Sequence, residues 1–104
     1  MDLSSYPNGE GHVVEVRGEL TAREPLAKLP LAVQNVLDRE SAGLVKVNVA
    51  HVEIIDLDGV AALIRARETA VRGGARFQLI DGQPRVRSRL RIAGVLRLLE
   101  EGEL

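Results

Sequence analysis

Leu44–Arg72 reads LVKVNVAHVEIIDLDGVAALIRARETAVR, and the way this stretch divides decides the fold. Leu44, Val45, Val47 and Val49 form an apolar, largely β-branched run of strand length, interrupted only by Lys46 and Asn48. That composition suits a strand in the middle of a sheet. Farther on, Leu57, Val60, Ala61, Ile64 and Val71 recur at helical spacing, so a strand at 44–49 feeds a helix at 57–72. Val47 is expected in the core, and Ile64 is expected on the buried face of the helix. Between the two elements lies His51-Val52-Glu53-Ile54-Ile55-Asp56-Leu57-Asp58-Gly59. Asp56 stands where an N-cap belongs and Asp58 falls in the first turn, so both carboxylates meet the positive end of a helix. By residue chemistry alone, the two aspartates are helix-start signals.

Working outward, Val14, Val16 and Leu20 alternate with Glu15, Arg17 and Glu19, which predicts a strand at 12–20 with one buried face. Met1 to Tyr6 gives a weaker strand signal ahead of a turn at Pro7-Asn8-Gly9. A helix running through both Pro25 and Pro30 would be broken, so Pro30 is placed in the first turn of a helix at 30–41, with Leu31, Val33, Val36 and Leu37 on its inner stripe. Gly73-Gly74 stops the helix at 57–72, its second glycine supplying a left-handed residue. Arg76 to Ile80 is the next strand, with Leu79 in the core, and Pro84 opens a third helix to about residue 93 on which Val86, Leu90 and Ala93 share a face. Val95 to Leu99 is apolar enough to dock on the sheet, whereas Glu100, Glu101, Gly102 and Glu103 are expected in solvent. A strand–helix–strand unit of this kind implies a parallel pair with a right-handed crossover.

The 104 residues fit a single domain, 1–104, and 45% apolar composition with one Phe and one Tyr makes its core aliphatic. Fourteen basic against fifteen acidic side chains leave no basic footprint of a general nucleic-acid binder. The absence of cysteine excludes disulfides, thiol nucleophiles and thiolate metal sites. There is neither a leader-like start nor an apolar run of membrane-span length, so a soluble, cytoplasmic protein without membrane insertion is expected. His12 and His51 have no partner at metal-ligand spacing, and no phosphate-binding or nucleophile-elbow motif occurs, so no metal, cofactor or catalytic residue is assigned. Arg85, Arg87, Arg89, Arg91 and Arg97 read as the solvated surface of a helical region. Asn48, His51 and Glu53 near the end of the strand lie where open sheets present ligand-facing groups.

The order of elements and several local words resemble the STAS domain of anti-sigma factor antagonists and sulfate-transporter tails. The resemblance covers about residues 12–99. It rests on Gly18-Glu19-Leu20 closing an early strand, HVEIID, the acidic-x-x-Gly helix start, GGARFQLID and QPRVRSRLRIAGV. It implies an α/β fold, a small mixed sheet with helices mainly on one face, and protein binding rather than catalysis. In anti-sigma factor antagonists of this family, the corresponding helix start binds a kinase-like anti-sigma factor, and phosphorylation of the residue before the glycine breaks that complex. In this chain the motif is Asp56-Leu57-Asp58-Gly59, and Asp58 occupies the phosphoacceptor position. The partner surface implied by the resemblance comprises Glu53, Asp56, Leu57, Asp58, Gly59, Val60 and Leu63, with Leu57 and Val60 expected as an exposed apolar pair.

Asp58 has no hydroxyl, and no Ser or Thr lies between Val49 and Glu68, so the usual switch cannot operate at this position. Thr21 and Asn48 replace aspartates frequent in the family, which argues against nucleotide binding. The expected function is therefore a non-phosphorylatable antagonist-like regulator that binds an anti-sigma factor or another signalling protein. The alternative is a STAS scaffold subunit of a transporter or stress-signalling complex.

Overall fold

The protein is described by a computed structural model covering residues 1–9 and 11–102. The elements are β1 (Asp2–Asn8), β2 (Gly11–Leu20), α1 (Lys28–Arg39), β3 (Leu44–Ile55), α2 (Leu57–Arg72), β4 (Arg76–Ile80), α3 (Pro84–Ile92) and α4 (Leu96–Glu101). Strands follow the order β1-β2-β3-β4, with β1 antiparallel to β2 and the other two pairs parallel. The expected mixed α/β sheet is the observed one. Val14 pairs with Val47 and Val47 with Leu79, so β2, β3 and β4 present one aliphatic row, fully or almost fully buried. Residues from all four helices join that row in one apolar cluster, among them Leu29, Val33, Leu63, Ala66, Val86, Leu90, Leu96 and Leu99. On the alternate strand positions Lys46, Asn48 and Gln78 remain half-buried.

Where elements depart from the sequence-based expectation, the reasons are local. β3 continues past Val49 to Ile55, because two register shifts against β2 absorb extra residues. Its buried positions are 45, 47, 49, 52 and 55, and the change of step from two to three imitates the end of a strand. β1 extends through Pro7, which an edge strand tolerates because a missing N–H there breaks no ladder bond. α1 begins at Lys28, prepared by turn bonds from Lys28 N–H to the Pro25 carbonyl and from Leu29 N–H to that of Leu26. Its inner stripe is accordingly Leu29, Val33 and Val36, with Leu31 exposed.

α2 has the predicted limits but a rotated face. Gly59, Val60, Ala62, Leu63, Ala66 and Ala70 are buried, whereas Leu57 and Val71 are exposed and Ile64 is half-buried at the margin of the core. Small side chains on the inner face let the helix approach the sheet, and bulk alone did not reveal that face. Leu79 and Val47 are core residues as expected. Ala93 is exposed at the end of α3. The apolar tail docks as a helix, α4, through Leu96 and Leu99. Glu100 does not point freely into solvent: its carboxylate takes both the Nε and an Nη of Arg87, at 2.8 and 2.9 Å. Glu103 lies outside the described residues.

Candidate functional site

The carboxylate of Asp56 joins three elements. Its Oδ1 accepts the Gly59 N–H at 2.9 Å and so caps α2, while its Oδ2 accepts the Ala22 N–H at 2.9 Å and so holds the loop leaving β2. The Asp56 N–H in turn donates to the Leu20 carbonyl at 3.1 Å. Hydrogen bonds from Ala22 first and Gly59 second hold the Asp56 carboxyl below its ordinary pKa, since both favour the ionised form. Asp56 is thus a fastening between the end of β2, the end of β3 and the first turn of α2.

Gly59 completes this junction by being small. A Cβ at that position would lie 1.9 Å from the Leu20 carbonyl oxygen and 2.7 Å from its carbon, both rigid backbone atoms. Glycine is required here by close approach, with no need for an unusual backbone angle. Thr21, next to Leu20, is also buried, and its hydroxyl donates to Glu19 Oε1 at 3.1 Å.

Around this base lies an exposed rim. Leu57 is 72% exposed and Ile54 48%, and Glu53 and Asp58 are also on the surface. Asp58 occupies the first turn of α2, where its charge faces the helix's positive end. Val60 and Leu63, expected on the partner surface, are 5% and 0% exposed and belong to the core. They support the helix from beneath, because the first-turn glycine draws this side of α2 onto the strands. The anticipated pair Leu57 and Val60 is therefore split, and Ile54 is the apolar side chain at the surface in addition to Leu57. Ile54 escaped the sequence reading because it sits within an apolar run, and the three-residue step between Val52 and Ile55 is the signal that turns it outward.

The other strand-end residues behave differently. Asn48 has its amide engaged on both sides: Nδ2 donates to Asp81 Oδ2 at 3.0 Å, and Oδ1 accepts the Ala50 N–H at 2.8 Å. Gln83 Nε2 donates to the Ala50 carbonyl at 2.7 Å, so this cluster ties β3 to the turn before α3. Asp81 holds φ 60° in that turn. His51 is exposed opposite Arg17 in the β2–β3 ladder. His12 is buried, with Nδ1 3.0 Å from Glu40 Oε2 but outside hydrogen-bond geometry. Among the described residues no cluster of three or more His, Asp or Glu side chains could hold a metal.

The β2–β3–α2 junction is thus clamped through Asp56 and carries the acidic Asp58 just before a glycine that close packing requires. Residues 7–100 match the family model described as Mlab, STAS domain. The chain belongs to the STAS domain family. Its fold is similar to that of the anti-sigma factor antagonist SpoIIAA in its unphosphorylated form, with a TM-score of 0.73 and 14% identity over 91% of this chain and 83% of that one. The phosphorylated form of SpoIIAA, described as a Bacillus cell fate determinant, gives 0.67 and 15% over 95% and 88%. A sulfate transporter family protein from Wolinella succinogenes gives 0.70 and 21% over 90% and 75%. No curated protein matches the chain significantly. At these identities the structural likenesses establish the STAS fold alone.

Proposed function

We propose that this STAS domain is a cytoplasmic protein-binding regulator of the anti-sigma factor antagonist kind, docking on a kinase-like anti-sigma factor through Glu53, Ile54, Leu57 and Asp58. Asp56 and Gly59 belong to the site as its foundation. The observation that carries this reading is Leu57, a large apolar side chain 72% exposed beside a carboxylate, on a helix start clamped to two strands. Exposed apolar groups rimmed by charge mark partner surfaces, and a rigid base lowers the ordering cost of binding. The fold shared with SpoIIAA supports the same reading. Because Asp58 stands at the family's phosphoacceptor position, the surface carries a fixed negative charge and does not alternate between two states. No helix among the described residues is long and apolar enough to cross a membrane. The fold shared with a sulfate transporter family protein favours a second reading, a scaffold subunit of a transport complex.

The test is calorimetric titration of a kinase-like anti-sigma factor from the same genome with the native protein and with Leu57→Lys. Binding by the native chain and its loss in the variant are expected, with thermal stability changed by no more than about 0.5 kcal/mol, as for surface positions. Equal binding by both would move the interface away from α2. No binding by either to any such factor would favour the scaffold reading.

A further inference from the structure

The charges of this chain are unevenly divided. Residues 1–58 hold ten acidic and five basic side chains, and residues 59–104 nine basic and five acidic. α3, with the sequence PRVRSRLRI, contributes four arginines and no acid. Val86 and Leu90 face the core, so helical geometry turns Ser88 and Ile92 outward, with Arg85 and Arg89 on one shoulder and Arg91 on the other. Arg87 is drawn into the bidentate pair with Glu100 that fixes α3 against α4, and Arg91 lies close enough to act on the same carboxylate through charge without bonding to it. Among the described residues, Arg85 and Arg89 enter no ion pair. At the end of the helix Arg91, Ile92, Ala93 and Gly94 are four consecutive exposed residues, with Ile92 at 82% the most exposed large apolar side chain described.

We infer that this corner is a docking surface for an anionic lipid bilayer, with Arg85, Arg89 and Arg91 meeting lipid phosphates while Ile92 enters the interface. The complementarity is electrostatic: a patch of one sign and an anionic membrane surface attract within a Debye length. The shape selects the occupant. Arginines diverging from an outward corner match a planar surface whose lipids can move to each guanidinium, whereas the strong carboxylate contacts of a folded protein partner are fixed in position and direction. A nucleic-acid backbone would have to bring a phosphate against Ile92, the apolar tip of the patch. Such docking is peripheral and requires no spanning segment, and the rim at the start of α2 uses other residues.

The chain has no tryptophan, so Ile92→Trp places a single fluorescent reporter at the tip of the patch. In low salt, vesicles of equal parts phosphatidylglycerol and phosphatidylcholine should sediment the protein and blue-shift that reporter. Vesicles of phosphatidylcholine alone should do neither, and added salt should release the protein. Arg85→Gln and Arg89→Gln should each lower the partition about fivefold, the equivalent of about 1 kcal/mol per cation. Ile92→Ser should lower it at every salt concentration, and circular dichroism should show each variant folded. The inference is overturned if anionic vesicles do not sediment the native protein, if the arginine variants partition equally, or if the reporter does not shift. Binding to polyglutamate or to a DNA duplex in place of vesicles would likewise overturn it and assign the patch to an acidic protein or a nucleic acid.

Discussion

Two faces of one short stretch, Glu53–Leu63, have opposite physical roles. The inner face of Asp56, Gly59, Val60 and Leu63 is fastened to the strands by hydrogen bonds and close packing, whereas the outer face of Glu53, Ile54, Leu57 and Asp58 touches little and is exposed. Residues of the same chemical type fall on both sides: Asp56 inside against Asp58 outside, Leu63 against Leu57. The lesson is that a motif such as Asp-x-Asp-Gly combines residues that build the junction with residues left free at its surface. Substitutions on the inner face should register as stability, and those on the outer face as affinity.

The largest effect should come from Gly59→Ala. The obstacle to a Cβ is the Leu20 carbonyl, which cannot rotate aside, so we expect a loss at or beyond the upper end of the about 1–3 kcal/mol typical of overpacking. Denaturant midpoints will show it. A variant as stable as the native protein would mean that the β2–α2 junction yields, and the division into two faces would lose its firmest element. Next, Leu63→Ala should cost about 2–5 kcal/mol, because the side chain is fully buried. Ile64→Ala should cost at least about 1 kcal/mol less, since that residue sits at the margin of the core. The reverse order would restore the helix face expected from periodicity alone.

Asp56→Asn sharpens the same boundary through pH. The substitution preserves size but turns one of two acceptors into a donor facing an N–H, either that of Ala22 or that of Gly59, so the variant should melt below the native protein at neutral pH. The native carboxyl titrates below its ordinary value. Its contribution is therefore complete above the unfolded-state pKa of about 3.9 and disappears as pH falls through the lowered folded-state value. The difference in melting temperature between native and variant should thus be constant at neutral pH and narrow only in acid. A gap that stayed constant into strong acid would show that the carboxylate's charge is irrelevant to the clamp.

How much of this was legible in the sequence depends on which physical signal each residue carries. Asp56 as a cap, Gly74 as a left-handed stop and Pro30 in a first turn were legible because each depends on local backbone chemistry. The final six residues of β3 and the inner face of α2 were not. The bulges that prolong β3 are defined by its partner strand, and the face of α2 is selected by small residues fitting beneath it. The acceptor that ties Asp56 to Ala22 spans thirty-four residues of chain, and Glu100 finds Arg87 across thirteen. Pairings of that kind exist only once the sheet has brought the elements together. Within the candidate site, Asp56 as a cap and Asp58 in the first turn follow from local rules, whereas Val60 and Leu63, expected at the surface, are buried because exposure depends on packing.

The smallest effect on stability, and the most informative for function, is expected at Asp58. It is exposed in the first turn of α2, where a carboxylate favours the helix by about 0.3–1 kcal/mol, so Asp58→Ser and Asp58→Asn should fold normally and melt only slightly lower. Its effect on binding turns on charge. A phosphate brings about −1.5 to −2 charge and three acceptor oxygens, whereas this carboxylate brings one charge and two, so Asp58 mimics a phosphorylated residue only in part. If negative charge at this point breaks the complex, both variants should bind a kinase-like anti-sigma factor more tightly than the native chain. If the partner offers an arginine or lysine, both should bind more weakly, since a charge-assisted hydrogen bond is lost. We expect the second outcome, because a regulator fixed in the dissociated state would have nothing to regulate. Calorimetry on the three proteins decides between them, and equal affinities would make Asp58 a helix-start residue and confine the outer face to Glu53, Ile54 and Leu57.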